Sequence, residues 1–158
     1  MTSVYRTSGA GTSGDADAFV LELPSDLRVI EQTISYLVNR CQAFDYSGSR
    51  LTLNFRVGVT EALANAMLYG NDRDPSKLVH VAVNVDEHCV VVQVSDEGLG
   101  FDPDSVADPT RPENLERVGG RGLFLIKELM DEVDYGGRGN SVRLVLYREA
   151  PARRASGE

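Results

Sequence analysis

The spacing of apolar positions along this chain changes several times, and each change predicts an element. In FVLELP (19–24), Phe19, Leu21 and Leu23 alternate with their neighbours as in a half-buried strand. From Leu27 the spacing lengthens: Leu27, Ile30, Ile34, Leu37, Val38 and Cys41 keep returning to one face of a helix that Ser25 or Asp26 can cap and that ends near Phe44. A second helix is predicted from about Ser49 to Leu68 or Tyr69, with Leu51, Phe55, Val59, Ala62 and Ala66 as its apolar stripe and Gly70 as its stop. LVHVAVNV (78–85) and CVVVQV (89–94) read as two strands joined in a hairpin through Asp86, Glu87 and His88. Residues 102–119 are poorly patterned and long for a connection, which predicts a functional lid. Helical spacing resumes in GLFLIKELMDEV (122–133) through Leu123, Ile126, Leu129, Met130 and Val133. Residues 133–135 and SVRLVLYR (141–148) then predict a closing hairpin that turns through GGRGN.

These elements sum to an α/β fold, a two-layer α/β sandwich with a mixed, mostly antiparallel sheet and its helices on one face. Residues 1–18 are small and polar, a composition that predicts disorder; the tail 149–158 resembles them, so one domain spans 19–148. With 24 acidic against 16 basic residues the net charge is -8, which opposes binding to nucleic-acid phosphates. Any phosphate held here must meet local devices such as backbone amides, a metal ion or a few placed arginines. Cys41 and Cys89 lie far apart in apolar stretches and read as core residues. No signal peptide or membrane-length apolar run is evident, so the expectation is a soluble, cytoplasmic protein with no membrane partner.

Three polar clusters interrupt the pattern. In EALANAMLYGN, Glu61 and Asn65 lie one helical turn apart on one face. Such a pair is common on solvated helices, but it is also what a site needs to hold Mg²⁺ and orient a hydroxyl. In SDEGLGFDP (95–103) a buried strand runs directly into Asp96, Gly98 and Gly100. A turn explains the glycines; Asp96 needs a hydrogen-bonding partner, either protein or ligand, and could accept from an exocyclic amine such as adenine's. In VGGRGLF, Gly119, Gly120 and Gly122 lead into a helix N-terminus, where they read either as a hinge or as a set of amides free to face an anion. Neither the phosphate-loop pattern nor a strand-linked G-x-G-x-x-G is present.

In this order, E-x-x-x-N on a helix, D-x-G-x-G after a strand and G-x-G opening a later helix resemble the nucleotide boxes of the Bergerat-fold (GHKL) ATPases. Within that superfamily, EALANAMLYGN, SDEGLGFDP, ENLERVGGRG and GLFLIKELMDEV most resemble the bacterial anti-sigma-factor serine kinases. The resemblance implies an ATP-binding kinase domain using ATP and Mg²⁺. Glu61 is then the catalytic base and Asn65 the Mg²⁺ ligand, while Asp96 reads adenine and Gly98 and Gly100 shape its pocket. Gly120 and Gly122 lie at the phosphates, and Arg117 lies in the lid near the phosphates or the partner. Ser141 falls where the family usually has a Thr that helps at adenine, and Tyr69 falls where many relatives have His. The implied partners are an anti-anti-sigma protein of the STAS fold and a sigma factor, with the kinase itself a homodimer. His80 and His88 lie in and beside the strand hairpin, which argues against a self-contained histidine kinase. The alternative is a binding module in which the nucleotide switches partners without phosphotransfer.

Overall fold

The computed structural model describes residues 5–8, 16–98, 120–137 and 139–151. Strand β2 (Ala16–Pro24) alternates buried and half-buried side chains along its length, as the period of two in its sequence requires. It pairs with β3 (Leu78–Asp86), which turns into β4 (Cys89–Ser95) as the expected hairpin. The last hairpin joins β5 (Glu132–Gly136) to β6 (Ser141–Tyr147), and β6 returns to lie against β4. Its turn uses left-handed backbone at Gly137 and Gly139, conformations that glycine adopts without steric cost.

Before β2 the structure departs from expectation. The composition of residues 1–18 predicts no order, yet β1 (Tyr5–Ser8) pairs antiparallel with Phe19–Glu22, and β2 itself begins at Ala16. A strand is added to an edge through main-chain hydrogen bonds, which leave no mark on hydropathy. The sheet order is β1-β2-β3-β4-β6-β5, and every pairing among the described strands is antiparallel.

One face of this sheet carries Phe19, Leu21, Leu23, Val79, Val81, Val83, Val90, Val92, Val94, Val142 and Leu144, all buried. The helices supply the other half of the same core. A single turn of 3-10 helix (Leu27–Val29), capped by the Asp26 side chain, leads into α1 (Ile30–Gln42). Ile30, Ile34, Leu37, Val38 and Cys41 are buried as the spacing predicts. Leu27 is exposed, because it lies in the preceding turn and outside the helical phase. At the other end of α1, Arg40 pairs with the buried Asp17 of β2.

The second helical stretch winds without a break from residue 50 to residue 70. Its regular part, α2 (Arg56–Asn65), is flanked by π-helical segments at Arg50–Phe55 and Ala66–Gly70. Leu51, Phe55, Val59, Ala62 and Ala66 are buried as expected, and Leu63 and Met67 join them. Arg50 anchors the beginning of the stretch by pairing with Asp131 and donating to the Tyr147 carbonyl.

α3 (Gly120–Leu129) crosses α2 at Gly58. A β-carbon on Gly58 would lie 2.8 Å from the Met130 Sδ, so glycine permits the close approach. Further along, Gly122 meets Asn65. These two contacts, Gly58 with Met130 and Asn65 with Gly122, run α3 antiparallel to α2 and bring its N-terminus over Asn65.

Candidate functional site

Glu61 and Asn65 sit half-buried on α2, each beside the buried stripe through Ala62 and Ala66. The carboxylate of Glu61 has no hydrogen bond or ion pair with another described residue. Asn65 faces the first turn of α3: a β-carbon on Gly122 would stand 2.9 Å from its Nδ2 and 3.2 Å from its Oδ1. That turn, which opens with Gly120, is also the positive dipole end of a helix, where the first amides have no partner within the helix. A neutral oxygen donor therefore faces a helix N-terminus, with a carboxylate one turn away on the same helix.

The second part of the site forms where β4 ends. The Asp96 backbone N–H donates to the Asn140 carbonyl at 2.9 Å, and the Asn140 side chain donates back to the Asp96 carbonyl at 3.3 Å. The carboxylate itself rests on Gly70 at the end of the helical stretch, where any side chain on Gly70 would collide with it. Gly98 N–H donates to Asp96 Oδ1 at 2.8 Å. A β-carbon on Gly98 would strike the Gly70 carbonyl, so the glycine at this turn is required by the backbone beside it. Burial raises the Asp96 carboxyl above the usual carboxylate range, against the smaller opposing effects of the Gly98 amide and Lys77. Among the described residues the Gly98 amide is the donor to this carboxylate, and a carboxylate has further lone pairs with which to accept from a ligand amine.

Behind this turn lies Asn71, fully buried at 0% exposure. Its Oδ1 accepts from Glu97 N–H at 2.7 Å, and its Nδ2 donates to Ser25 Oγ at 2.9 Å and to the Leu78 carbonyl at 3.0 Å. Sequence reasoning singled out neither Asn71 nor Asn140. The available signal was a Gly70-Asn71 pair directly after a helix, which reads as an ordinary helix stop.

Asn65 and Gly122 are thus brought together, with Glu61 one turn earlier on α2, and Asp96 and Gly98 form a second group against Gly70. Gly100, Arg117 and the expected lid at 102–119 lie outside the described residues. Ser141 does not reach the Asp96 carboxylate. Its Oγ lies 3.1 Å from Ser95 Oγ and accepts from Gln93 Nε2 at 3.1 Å, on the sheet face opposite buried Val94 and Val142. Side chains alternate faces along a strand, so a shift of one residue decides the matter, and Asn140 is the residue beside Asp96. Tyr69 is exposed.

The helical E-x-x-x-N thus faces the N-terminus of a later helix on a two-layer sandwich, with an acidic turn at the end of β4. The family model for the histidine kinase-like ATPase domain matches residues 23–146, and the chain belongs to that family. Among curated proteins it is similar to serine-protein kinase RsbW of Oceanobacillus iheyensis, 30% identical over 116 residues that cover 70% of this chain and 71% of that protein. It is also similar to the anti-sigma F factor of Bacillus cytotoxicus, 38% identical over 80 residues (48% of this chain, 53% of that protein). The anti-sigma F factor of Bacillus subtilis is 33% identical over 96 residues (56% and 64%). The matches thus span about half to two thirds of the anti-sigma F factors' own length.

Proposed function

We propose that the protein is an ATP-dependent serine protein kinase and anti-sigma factor, which phosphorylates a STAS-type anti-anti-sigma partner and thereby switches the partner of a sigma factor. The observation that carries this reading is the meeting of Asn65, one turn after Glu61 on α2, with the N-terminus of α3, in a chain similar to a serine-protein kinase and to anti-sigma F factors.

The residues fit a purine nucleotide. Asp96 offers a desolvated acceptor for the adenine amine, and Gly98 leaves the backbone open beside it. At the other end, the amides at Gly120 and Gly122 open a helix toward the phosphates. The amide oxygen of Asn65 suits Mg²⁺, which keeps several ligands from phosphate and water and needs few from protein. Bound there, Mg²⁺ would neutralise charge on the phosphates. Glu61 takes the proton of the acceptor Ser hydroxyl as its oxygen bonds to the γ-phosphorus and the bond to ADP breaks. By resemblance, Gly100 shapes the purine pocket together with Gly98, and Arg117 lies in the lid near the phosphates or the partner. Ser141 is assigned no contact, given its place on the outer face.

No helix among the described residues is long and apolar enough to cross a membrane. In this reading the protein acts in the cytoplasm as a homodimer, and its net charge of -8 suits a protein partner better than nucleic acid. The test is to capture partners from the native cell with the purified protein and to supply γ-labelled ATP. Label on a serine of a retained STAS protein supports the kinase. Retention that changes with ATP while no label is transferred replaces it with a nucleotide-gated binding module.

A further inference from the structure

We infer that Asn71 is a positioning residue for purine selectivity, one that fixes the Asp96–Gly98 turn against the end of the second helical stretch before nucleotide arrives. This rests on the proposed role of Asp96 at adenine.

A buried amide costs several kcal/mol unless its polar atoms find partners. Asn71 finds three, and they belong to different parts of the fold. Nδ2 binds Ser25 just after β2 and the Leu78 carbonyl at the start of β3, while Ser25 Oγ in turn donates to the Lys77 carbonyl at 2.8 Å. Those bonds brace strand ends. The bond from Glu97 N–H to Oδ1 differs, because Glu97 stands between Asp96 and Gly98 in the turn itself. Fixing the Glu97 backbone fixes both neighbours, and the Gly98 amide is the one that holds Asp96 Oδ1. Glu97 is tied a second time where its Oε2 accepts from Leu78 N–H at 2.6 Å.

The helix end supplies the aim. Asn71 N–H donates to the Ala66 carbonyl at 2.8 Å, five residues back, closing the π-helical segment Ala66–Gly70. The wider turn puts Gly70 under the Asp96 carboxylate and turns the next side chain inward. One residue therefore ends the helix that carries Glu61 and Asn65 and also holds the turn that carries Asp96. A brace of the strand ends alone would need only the Nδ2 bonds.

The test compares Asn71→Ala and Asn71→Asp in the full chain, measuring ATP and GTP affinity by calorimetry and stability by thermal melting, with Asp96→Asn as reference. Asn71→Ala should lose roughly tenfold in ATP affinity, the scale of one lost hydrogen bond. Its ATP-to-GTP preference should fall toward that of Asp96→Asn. Asn71→Asp keeps the Oδ1 acceptor for Glu97 and should keep the wild-type preference while melting earlier. A folded Asn71→Ala protein with unchanged preference overturns the inference. If Asn71→Ala does not fold, hydrogen exchange at the Glu97 amide of nucleotide-free wild type decides: slowed exchange supports the inference, and exchange at the free-peptide rate overturns it. A wild type without ATP preference, or Asp96→Asn with wild-type preference, instead sinks the assignment of Asp96 and with it the reading beneath.

Discussion

At Glu61 a carboxylate stands one turn before an amide on the same helix face, and the two side chains have separable tasks. Glu61→Ala should leave ATP affinity nearly intact and lower phosphotransfer by roughly 10²–10⁴-fold, the scale of a positioned base, as single-turnover assays with the retained partner would read. Asn65→Ala should weaken both, because in the proposed site Asn65 would hold the Mg²⁺ that joins phosphates to protein. Asp96 illustrates the opposite balance between function and stability. Burial raises its pKa in the folded protein, so the unfolded chain ionises first as pH rises, and folding loses stability across the interval between the unfolded and folded values. Above the folded value the penalty is fully present. Asp96→Asn should therefore melt at a higher temperature without nucleotide while binding ATP less well. A variant that melts lower at neutral pH would contradict the burial argument.

At the scale of elements, the site depends on how α3 lies along α2. Gly58 and Gly122 are two points of close approach, and each faces an atom that an added methyl group would crowd: Met130 Sδ at 2.8 Å and Asn65 Nδ2 at 2.9 Å from the added β-carbon. The flexible Met130 thioether can move aside, so Gly58→Ala should cost about 1–3 kcal/mol of stability by chemical denaturation, as overpacking does, with a small effect on catalysis. Gly122→Ala should show the reverse pattern. It displaces the Asn65 amide within the site, so phosphotransfer should fall more steeply than stability. Equal losses in the two variants would mean that the helix crossing is not what positions Asn65.

For the whole molecule, a ligand that binds only the folded state stabilises it by mass action, about 2.7 kcal/mol at one hundred times the Kd. In a chain of 158 residues that corresponds to a rise of roughly 5–10 °C in Tm with Mg²⁺-ATP. Asp96→Asn should lose most of this rise at the same ATP concentration. A wild type whose Tm does not respond to ATP would remove the nucleotide from the proposed function.

What the sequence determined by itself was whatever local periodicity can encode. The alternation in β2, β3 and β4, the stripes of α1 and α2, and the hairpin turns all follow from side chains repeating every two or every three to four residues. The order of Glu61, Asn65, Asp96, Gly98 and Gly122 also lies on the surface of the sequence, since each is a residue type whose chemistry is legible alone. Tertiary structure decided what depends on partners distant along the chain. Asn71 gains its role from Ser25 and Glu97, respectively 46 and 26 positions away, and no local pattern announces a buried amide. Ser141 lies beside Ser95 on the outer face, because which face a strand end presents is set by pairing with β4 and not by the residue's own character. β1 formed from a segment with no apolar signal, because backbone groups, common to every sequence, are what an edge strand uses to join a sheet.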